Sequence, residues 1–476
     1  MQRVAFALLL AFSTLSAAQN SLSPTVKEFV KVDAPSVAIT HIRVLDGTGA
    51  AARDDQTIVI SGGKISSVGP SASTPAPQGA QIVDGTGRTA IPGLVGMHDH
   101  LFYPMGGLVY GEMAFSFPRL YLANGVTTIR TTGSIEPYTD LELKKWIDAG
   151  KWIGPKMWVT GPYLEGKDAF IPQLHQIGSP QEARDMVDFW AAQGVTSFKA
   201  YNTLTREELG AAIQQAHKHN IKLTGHLCSV TFPEAIALGI DDLEHGIEVD
   251  TEFVKDKQPD VCPEAAFSEQ PLAEVSISDP RLQALIKNLV AHHVAVTSTL
   301  PVFEPDICGR PPLEARVLDA MSPEAKNDYL GRRVRICTPK PGAPASHGAH
   351  NFKLEMDFEH EFSKAGGLLL AGEDPTGIGG ILAGFGDQRE VELLVEAGFT
   401  PVEAIHIATA NGAEYLGESE RIGTLAAGKQ ADIVVINGDP SKNIADIEKV
   451  ELVFKDGVGY DSTKLSDSVR GLVGIR

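Results

Sequence analysis

The chain has 476 residues, of which 43% are hydrophobic and 21% are charged, a composition that is ordinary for a globular protein with a large core. Its length exceeds that of one small domain and predicts two or three. The 60 acidic and 41 basic residues give a formal net charge of −19. This excess of acid argues against a nucleic-acid partner, because an acidic surface repels phosphate.

The first 18 residues have the features of a secretory signal peptide. Arg3 supplies a positive charge, residues 4–12 are apolar, and Ser16, Ala17 and Ala18 form a cleavage site of small residues. The apolar stretch is shorter than the ~20 residues that a membrane-spanning helix needs. We therefore expect export to a periplasm or to the medium, without a membrane anchor.

Export would permit disulfide bonds among the four cysteines. Cys262, Cys308 and Cys337 fall in two stretches predicted to be long loops. Cys308 with Cys337 is the preferred pair, although the sequence also allows the other two pairings and free buried thiols. Cys228 lies two residues after His226, and we interpret it as a small core-facing residue, not as a metal ligand or nucleophile.

Both ends of the chain contain short β-type runs. Residues 36–92 and 420–476 show β-branched segments separated by Gly, Asp and Pro. Neither segment alone has enough residues for a sandwich. We expect the two together to form one small β-sandwich domain.

Residues 93–419 alternate between strand-like and helix-like segments, which is typical of a parallel sheet covered by helices. Eight strand candidates occur, at 94–101, 125–133, 155–164, 195–201, 221–228, 241–246, 294–303 and 367–375. This count predicts an α/β fold, a (β/α)8 TIM barrel. The stretches 247–281 and 304–366 are predicted to be long loops on the catalytic face, forming a lid or a substrate wall.

Several polar residues lie where the predicted strands end. They are His98, His100, Lys199, His226, His245 and Asp374. In a barrel the carboxyl ends of the strands meet at one mouth, and residues two apart on a strand point to the same side. Imidazole and carboxylate groups suit Zn²⁺, and manganese, iron and cobalt bind the same ligands. The pattern predicts a metal-assisted hydrolase.

Lys199 has two interpretations that the residues alone leave open. As an ammonium it has no lone pair for a metal and would form a salt bridge inside the barrel, for example with Asp374. As a carbamate formed with CO₂ it would offer two anionic oxygens, which are able to bridge two cations.

The pattern resembles the amidohydrolase superfamily over nearly the whole mature chain. VDGTGRTAIPGLVGMHDHL looks like the point where that superfamily enters its barrel, and IGTLAAGKQADIVVING looks like the point where it returns to the β-sandwich. Members related to imidazolonepropionase and to prolidase-like exopeptidases look most similar. The resemblance implies a homo-oligomer with two divalent cations, and zinc is the metal we expect. By the same match, one metal would be held by His98, His100 and Asp374, the other by His226 and His245, and Lys199 would bridge them as a CO₂-derived carbamate.

Departures from the superfamily narrow the reaction. No acid follows His226 within the next three residues, which disfavours deamination, and Lys199 disfavours imidazolonepropionase activity, which uses one metal. We therefore predict that metal-activated hydroxide cleaves the amide bond of a dipeptide or N-acyl amino acid, with Asp374 as the catalytic proton acceptor. The alternatives are a lactonase, a carbamate hydrolase, a cyclic-amide hydrolase and, more remotely, a non-catalytic binding protein.

The sequence gives weaker evidence about whether three further residues face the pocket. Arg130 and Tyr201 are candidate substrate contacts, although an ion pair inside the barrel and a core tyrosine are the favoured interpretations. Glu373 should point away from the pocket, because it alternates with Asp374 along the strand.

Overall fold

The computed structural model describes residues 22–339, 341–342 and 345–475. The signal peptide predicted at residues 1–18 lies outside this part of the chain. None of the described helices is long and apolar enough to cross a bilayer.

The strands in the described part of the chain are β1 (Val30–Val32), β2 (Ser36–Val44), β3 (Arg53–Ser61), β4 (Lys64–Pro70), β5 (Gln81–Asp84), β6 (Thr89–Pro92), β7 (Leu94–Asp99), β8 (Phe102–Pro104), β9 (Tyr110–Glu112), β10 (Val126–Thr131), β11 (Lys156–Trp158), β12 (Ser197–Ala200), β13 (Lys222–Gly225), β14 (Asp242–Glu244), β15 (Ala295–Ser298), β16 (Leu369–Ala371), β17 (Ile433–Ile436), β18 (Val450–Lys455) and β19 (Val458–Asp461). The α-helices are α1 (Pro24–Lys27), α2 (Phe117–Ala123), α3 (Pro137–Asp148), α4 (Pro180–Gln193), α5 (Arg206–Lys218), α6 (Phe232–Leu238), α7 (Pro280–Ala291), α8 (Leu300–Phe303), α9 (Ala315–Ala320), α10 (Pro323–Ile336), α11 (Gly348–Lys364), α12 (Phe385–Ala397), α13 (Pro401–His406), α14 (Gly412–Tyr415) and α15 (Ser462–Asp467).

One mixed sheet takes its strands from both ends of the chain, in the order β1-β19-β18-β17-β6-β2-β3-β4, with β5 beside β2. Its strand β17 is buried on both faces. Ile433 and Val435 pack in the sheet's own core, whereas Val434 and Ile436 belong to the larger core of the parallel strands and their helices. Successive side chains point to opposite faces of a strand, so this run is apolar without alternation.

Eight parallel strands lie between the two ends of the chain, as one sheet of order β11-β10-β7 and one of order β12-β13-β14-β15-β16. Each lies within one of the eight predicted strand segments. A parallel bridge between Thr160 and Ser197 connects the two sheets on one side. On the other side, the N–H of Asp374 donates to the carbonyl of His98 at 2.9 Å. The predicted α/β fold with parallel strands is confirmed.

The stretch 304–366 is not the loop that the sequence predicted, because it contains α9, α10 and α11. Helix α11 buries Leu354, Phe358 and Phe362, which recur every four residues and form one apolar face. The proline-rich segment before the helix obscured this period. The stretch 247–281 is closer to the prediction, with short 3₁₀ turns before α7 begins at Pro280.

Two disulfide bonds join the four cysteines. Cys308 pairs with Cys337, as predicted, and Cys228 pairs with Cys262. The second bond corrects the interpretation of Cys228 as a lone core residue. Two cysteines pair only where the fold brings them close together. The sequence around Cys228 does not show which cysteine lies near it.

Three buried carboxyl groups lie together between α11 and α12. They belong to Glu355, Glu359 and Glu390, and Ser298 donates a hydrogen bond of 2.6 Å to Glu390. Both carboxyl oxygens of Glu359 lack a partner among the described residues. Burial raises the pKa of each carboxyl well above its usual value, and the neighbouring acids raise it further.

Glu359→Gln should stabilise the protein at alkaline pH. A carboxyl with a raised folded pKa stays protonated in the native state, while the unfolded chain ionises above about pH 4. Its effect on stability is therefore favourable at low pH and is lost as pH rises toward the folded pKa. Glutamine mimics the protonated acid without titrating. We expect the thermal unfolding midpoint at pH 8 to rise by about 2–4 °C, and the gain to shrink near pH 5.

Glu361→Gln is the matched control on the same helix, since Glu361 is 42% exposed and pairs with Lys364 at 3.4 Å. Its midpoint should stay close to the wild-type value at both pH values. A Glu359→Gln protein that is less stable than wild type at pH 8 would contradict the account of the buried acids.

Candidate metal centre

The six candidate residues meet at the carboxyl ends of the parallel strands. All of them except His98 line a cavity of about 200 Å³, and Nε2 of His98 lies 3.0 Å from Nζ of Lys199. His98 belongs to β7 and Lys199 to β12, while His226 and His245 directly follow β13 and β14. His100 follows β7, and Asp374 comes three residues after β16. The fold thus gathers side chains that are up to 276 positions apart, as the sequence predicted.

Their polar atoms lie within a few ångströms of one another. The Oδ atoms of Asp374 are 3.6 Å from Nε2 of His98, 3.4 Å from Nε2 of His100 and 3.8 Å from Nε2 of His245. The rings of His226 and His245 are 4.5 Å apart between centroids. Ligand-type atoms of three of them, His98, His245 and Asp374, all lie within 4.8 Å of each other.

Two histidines are oriented by hydrogen bonds on the side away from the cavity. Nδ1 of His98 lies 2.7 Å from a carboxylate oxygen of Glu244, and Nδ1 of His245 lies 2.7 Å from the hydroxyl of Thr299. Both rings therefore present Nε2 to the centre. Nε2 of His245 is buried and has no partner among the described residues. Such backing by a carboxylate or hydroxyl is typical of metal-ligating histidines.

The histidines are neutral at physiological pH. Burial, and then the nearby charge of Lys199, lowers the pKa of His98 to about 4 and that of His226 to about 3. Burial also lowers the pKa of His100 and of His245. A neutral imidazole keeps the lone pair that a cation requires.

Lys199 is fully buried beside these rings. Its Nζ lies 3.0 Å from Nε2 of His98, and the close side-chain contacts of Asp374 are with imidazole nitrogens and not with Lys199. Burial lowers the pKa of Lys199 to about 8, although Glu244 and Asp374 oppose the shift. The amine is therefore still mostly protonated near neutral pH, but a larger fraction is uncharged than in an exposed lysine.

Asp374 is the ionised carboxylate of the cavity. Burial opposes its ionisation, but His98 and a hydrogen bond from His100 hold its pKa well below the usual value. Glu373, its neighbour, points the other way and accepts a hydrogen bond from the N–H of Asp387, as the alternation predicted.

The backbone is strained where two of the side chains are presented. His245 has φ +70° and Asp374 has φ +47°, in the left-handed region that non-glycine residues seldom adopt. Each such conformation costs of order 1–3 kcal/mol and persists only where the surrounding structure enforces it. Gly372 permits a close approach of the strands, because a Cβ there would lie 2.5 Å from the backbone nitrogen of His98.

Arg130 does not line the cavity and forms a buried ion pair, which was the favoured interpretation. Its guanidinium lies 3.0 Å from both Asp242 and Glu244, and its Nε donates to the carbonyl of Met97. Arg130 therefore holds Glu244, the partner of His98. Sequence reasoning missed Glu244, although its place directly before His245 was a usable signal.

Tyr201 does line the cavity, with its ring 4.9 Å from that of His226. Sequence reasoning missed a second tyrosine. Tyr163 lines the same cavity, and its ring is 6.3 Å from His100 and 5.5 Å from Nζ of Lys199. It lies after the end of β11, so its position at the end of a predicted strand was the available signal.

Comparisons with known proteins agree with this fold. The model of the amidohydrolase family matches residues 376–458. Imidazolonepropionase of Streptomyces griseus is 25% identical over 444 residues, which cover 89% of this chain and 96% of that protein.

Solved structures extend the likeness to almost the whole molecule. A protein from Bifidobacterium longum that is assigned as a prolidase is 25% identical, with a TM-score of 0.65 over 93% of this chain and 99% of its own. A Xaa-Pro dipeptidase with methionine bound in its active site is 18% identical and has a TM-score of 0.66, over 90% of this chain and all of its own. The chain is therefore similar to hydrolases of the amidohydrolase superfamily over almost its whole length.

Proposed function

We propose that the protein is an exported, metal-dependent hydrolase that cleaves the amide bond of a dipeptide or an N-acyl amino acid. The observation that carries the proposal is the convergence of four neutral imidazoles, one carboxylate and one lysine of lowered pKa at the carboxyl ends of the parallel strands, where all but His98 line a single cavity. Likeness to a prolidase and a dipeptidase supports the choice of an amide bond.

The residues fit a pair of divalent cations. The four imidazoles are uncharged, Asp374 is ionised, and Nε2 of His245 is buried without a partner. In our proposal His98, His100 and Asp374 would hold one cation, and His226 with His245 the other. Lys199, as a CO₂-derived carbamate, would bridge them. Nitrogen and carboxylate ligands suit zinc, which is the metal we propose.

Bound cations of this kind lower the pKa of water and polarise a carbonyl. The chain's own groups would do the rest of the work. Asp374, held ionised by its histidine neighbours, would accept a proton from the attacking water and deliver it to the leaving nitrogen. Glu244 and Thr299 would keep His98 and His245 in their tautomers. Tyr163 and Tyr201 would shield the cavity from bulk water and contact the substrate.

We further propose that the eight parallel strands close into one (β/α)8 barrel spanning residues 93–419. The contacts at Thr160–Ser197 and at Asp374–His98 support closure on both sides. Residues 36–92 and 420–476 would form the separate β-sandwich domain. Export, directed by residues 1–18, agrees with the two disulfides, and assembly into a homo-oligomer remains our expectation from the superfamily.

The substrate class is tested with the mature protein supplied with Zn²⁺ and bicarbonate, against dipeptides, N-acyl amino acids, lactones and carbamates. Release of free amine from dipeptides or N-acyl amino acids is the expected result. Opening of lactones without amine release would reassign the site to lactonase activity. Failure to retain about two metal ions per chain would favour the non-catalytic alternative.

Asp374→Asn should reduce turnover by several orders of magnitude while metal content stays close to that of wild type. Asparagine keeps an oxygen in place but cannot hold the transferred proton. Metal is measured by elemental analysis and turnover by amine release. Turnover near the wild-type value would refute the proton-transfer role of Asp374.

Lys199→Ala should lower both metal retention and turnover by at least about 100-fold, because the bridging carbamate is lost. Acetate or propionate at millimolar concentration should restore part of both, since a small carboxylate replaces the two missing oxygens. Lys222→Ala is the control, as Lys222 donates to the carbonyl of Tyr415 and does not line the cavity. Lys199→Ala with full metal content and full turnover would exclude a bridging lysine.

A further inference from the structure

A second and larger cleft of about 670 Å³ adjoins the catalytic cavity. The two share His226 and Phe303, so a substrate held at the metal centre would reach the cleft directly. Much of its wall comes from the segments 247–281 and 304–366. We call it the acidic cleft, defined by Glu248, Glu269, Asp306 and the aromatic rings around them.

An aromatic row leads from the cavity to the cleft. The ring of Phe170 is 6.1 Å from that of Tyr201 and 5.8 Å from that of Phe267. Phe267 is 63% exposed although it is large and apolar. Such rings favour an apolar stem and also the face-on approach of a cation.

The three carboxyl groups that line the cleft give it an acidic wall. No lysine or arginine is found among its described lining residues, which include the three acids. Glu269 accepts hydrogen bonds from Ser346 and from the N–H of His347. The carboxylates of Glu248 and Asp306 receive no hydrogen bond or ion pair within the described part of the chain. Burial, then Asp306 and Glu269, raises the pKa of Glu248 to about 8, a cost that a bound cation would relieve.

The buried side-chain amide of Asn351 is independent evidence for a ligand, because its oxygen lacks a hydrogen-bond donor. Asn351 lines the cleft and is 4% exposed, and its Nδ2 donates to the carbonyl of Glu269 at 3.0 Å. Its Oδ1 has no partner among the described residues. A buried acceptor without a donor is costly, so a ligand that donates hydrogen bonds fits this position. Asn202, nearer to His226, has an unpartnered Nδ2 that suits a substrate carbonyl or carboxylate.

We propose that the acidic cleft binds a protonated amine or guanidinium on an apolar stem, carried by the substrate beyond its scissile amide. This inference rests on the proposed function and deepens it, because it names the substrate class. The stem would lie along the aromatic row, and the cation would lie between Glu248, Asp306 and Oδ1 of Asn351. Amides of lysine-like or arginine-like residues would then be preferred over neutral or acidic ones of equal size.

A matched series of dipeptides tests the charge preference in the wild-type protein. Ala-Lys, Ala-norleucine and Ala-Glu are compared by kcat/KM, and so are the three dipeptides of reversed order. We expect the lysyl substrate to exceed the norleucyl one at least about tenfold in one of the two orders, and the glutamyl substrate to be poorest. Equal kcat/KM for lysyl and norleucyl substrates in both orders would overturn the proposal.

The double variant Glu248→Gln/Asp306→Asn should bring the lysyl-to-norleucyl ratio close to one. Glu264→Gln, an exposed acid of the same segment outside the cleft lining, should keep the wild-type ratio. Thermal midpoints verify that the variants are folded. A double variant that is folded and keeps the full lysyl preference contradicts the assignment.

Binding without turnover separates this proposal from the proposed function. Calorimetry compares cadaverine, a diamine, with 1,5-pentanediol, its neutral counterpart, on wild type and on the double variant. If no dipeptide is hydrolysed but wild type alone binds cadaverine over the diol, the proposed function fails and the cleft assignment stands. If dipeptides are hydrolysed without a lysyl preference and cadaverine does not bind, the cleft assignment fails alone.

Discussion

The hydrogen bond from the N–H of Asp374 to the carbonyl of His98 joins the last parallel strand to the first, and the site depends on it. Without a side chain at Gly372, the two backbones come close enough for this bond to form. It brings the carboxylate of Asp374 beside His98 and His100. Because side chains alternate along a strand, a shift by one residue would turn Asp374 away from the cavity and point the longer side chain of Glu373 toward it.

Buried charged side chains hold the ring of His98 in place. Arg130 lies 3.0 Å from Glu244, and Glu244 lies 2.7 Å from Nδ1 of His98. Arg130 and the ring of His98 are what keep the pKa of Glu244 low against its burial. An ionised Glu244 in turn orients the ring of His98, whose Nε2 faces the cavity. A buried ion pair adds little net stability by itself, so its physical role here is to position a ligand.

Sequence reasoning could predict the parallel strands and the six cavity residues, because both follow from local patterns. Apolar runs mark the strands, and a polar residue at the end of such a run marks the mouth. It could not predict which residues that are distant in sequence come into contact in the folded chain. The Cys228–Cys262 bond, the choice of Glu244 as a partner of Arg130 and the backing of His98 by Glu244 all join residues that are 34 or more positions apart. Helix α11 was missed for a local reason, since the proline-rich segment before it obscured its four-residue period.

The two disulfides anchor the segments that form the walls of the acidic cleft. Cys228 lies two residues after His226, and its bond to Cys262 ties the segment that carries Phe267 to the end of β13. The Cys308–Cys337 bond does the same for the segment that begins at Asp306 and ends after Ile336. Each bond removes freedom from a long connection, so the cleft is held in shape before a substrate arrives. Disulfides form and persist in oxidising compartments. The substrate selectivity that we propose for the cleft would therefore depend on the export that we also propose.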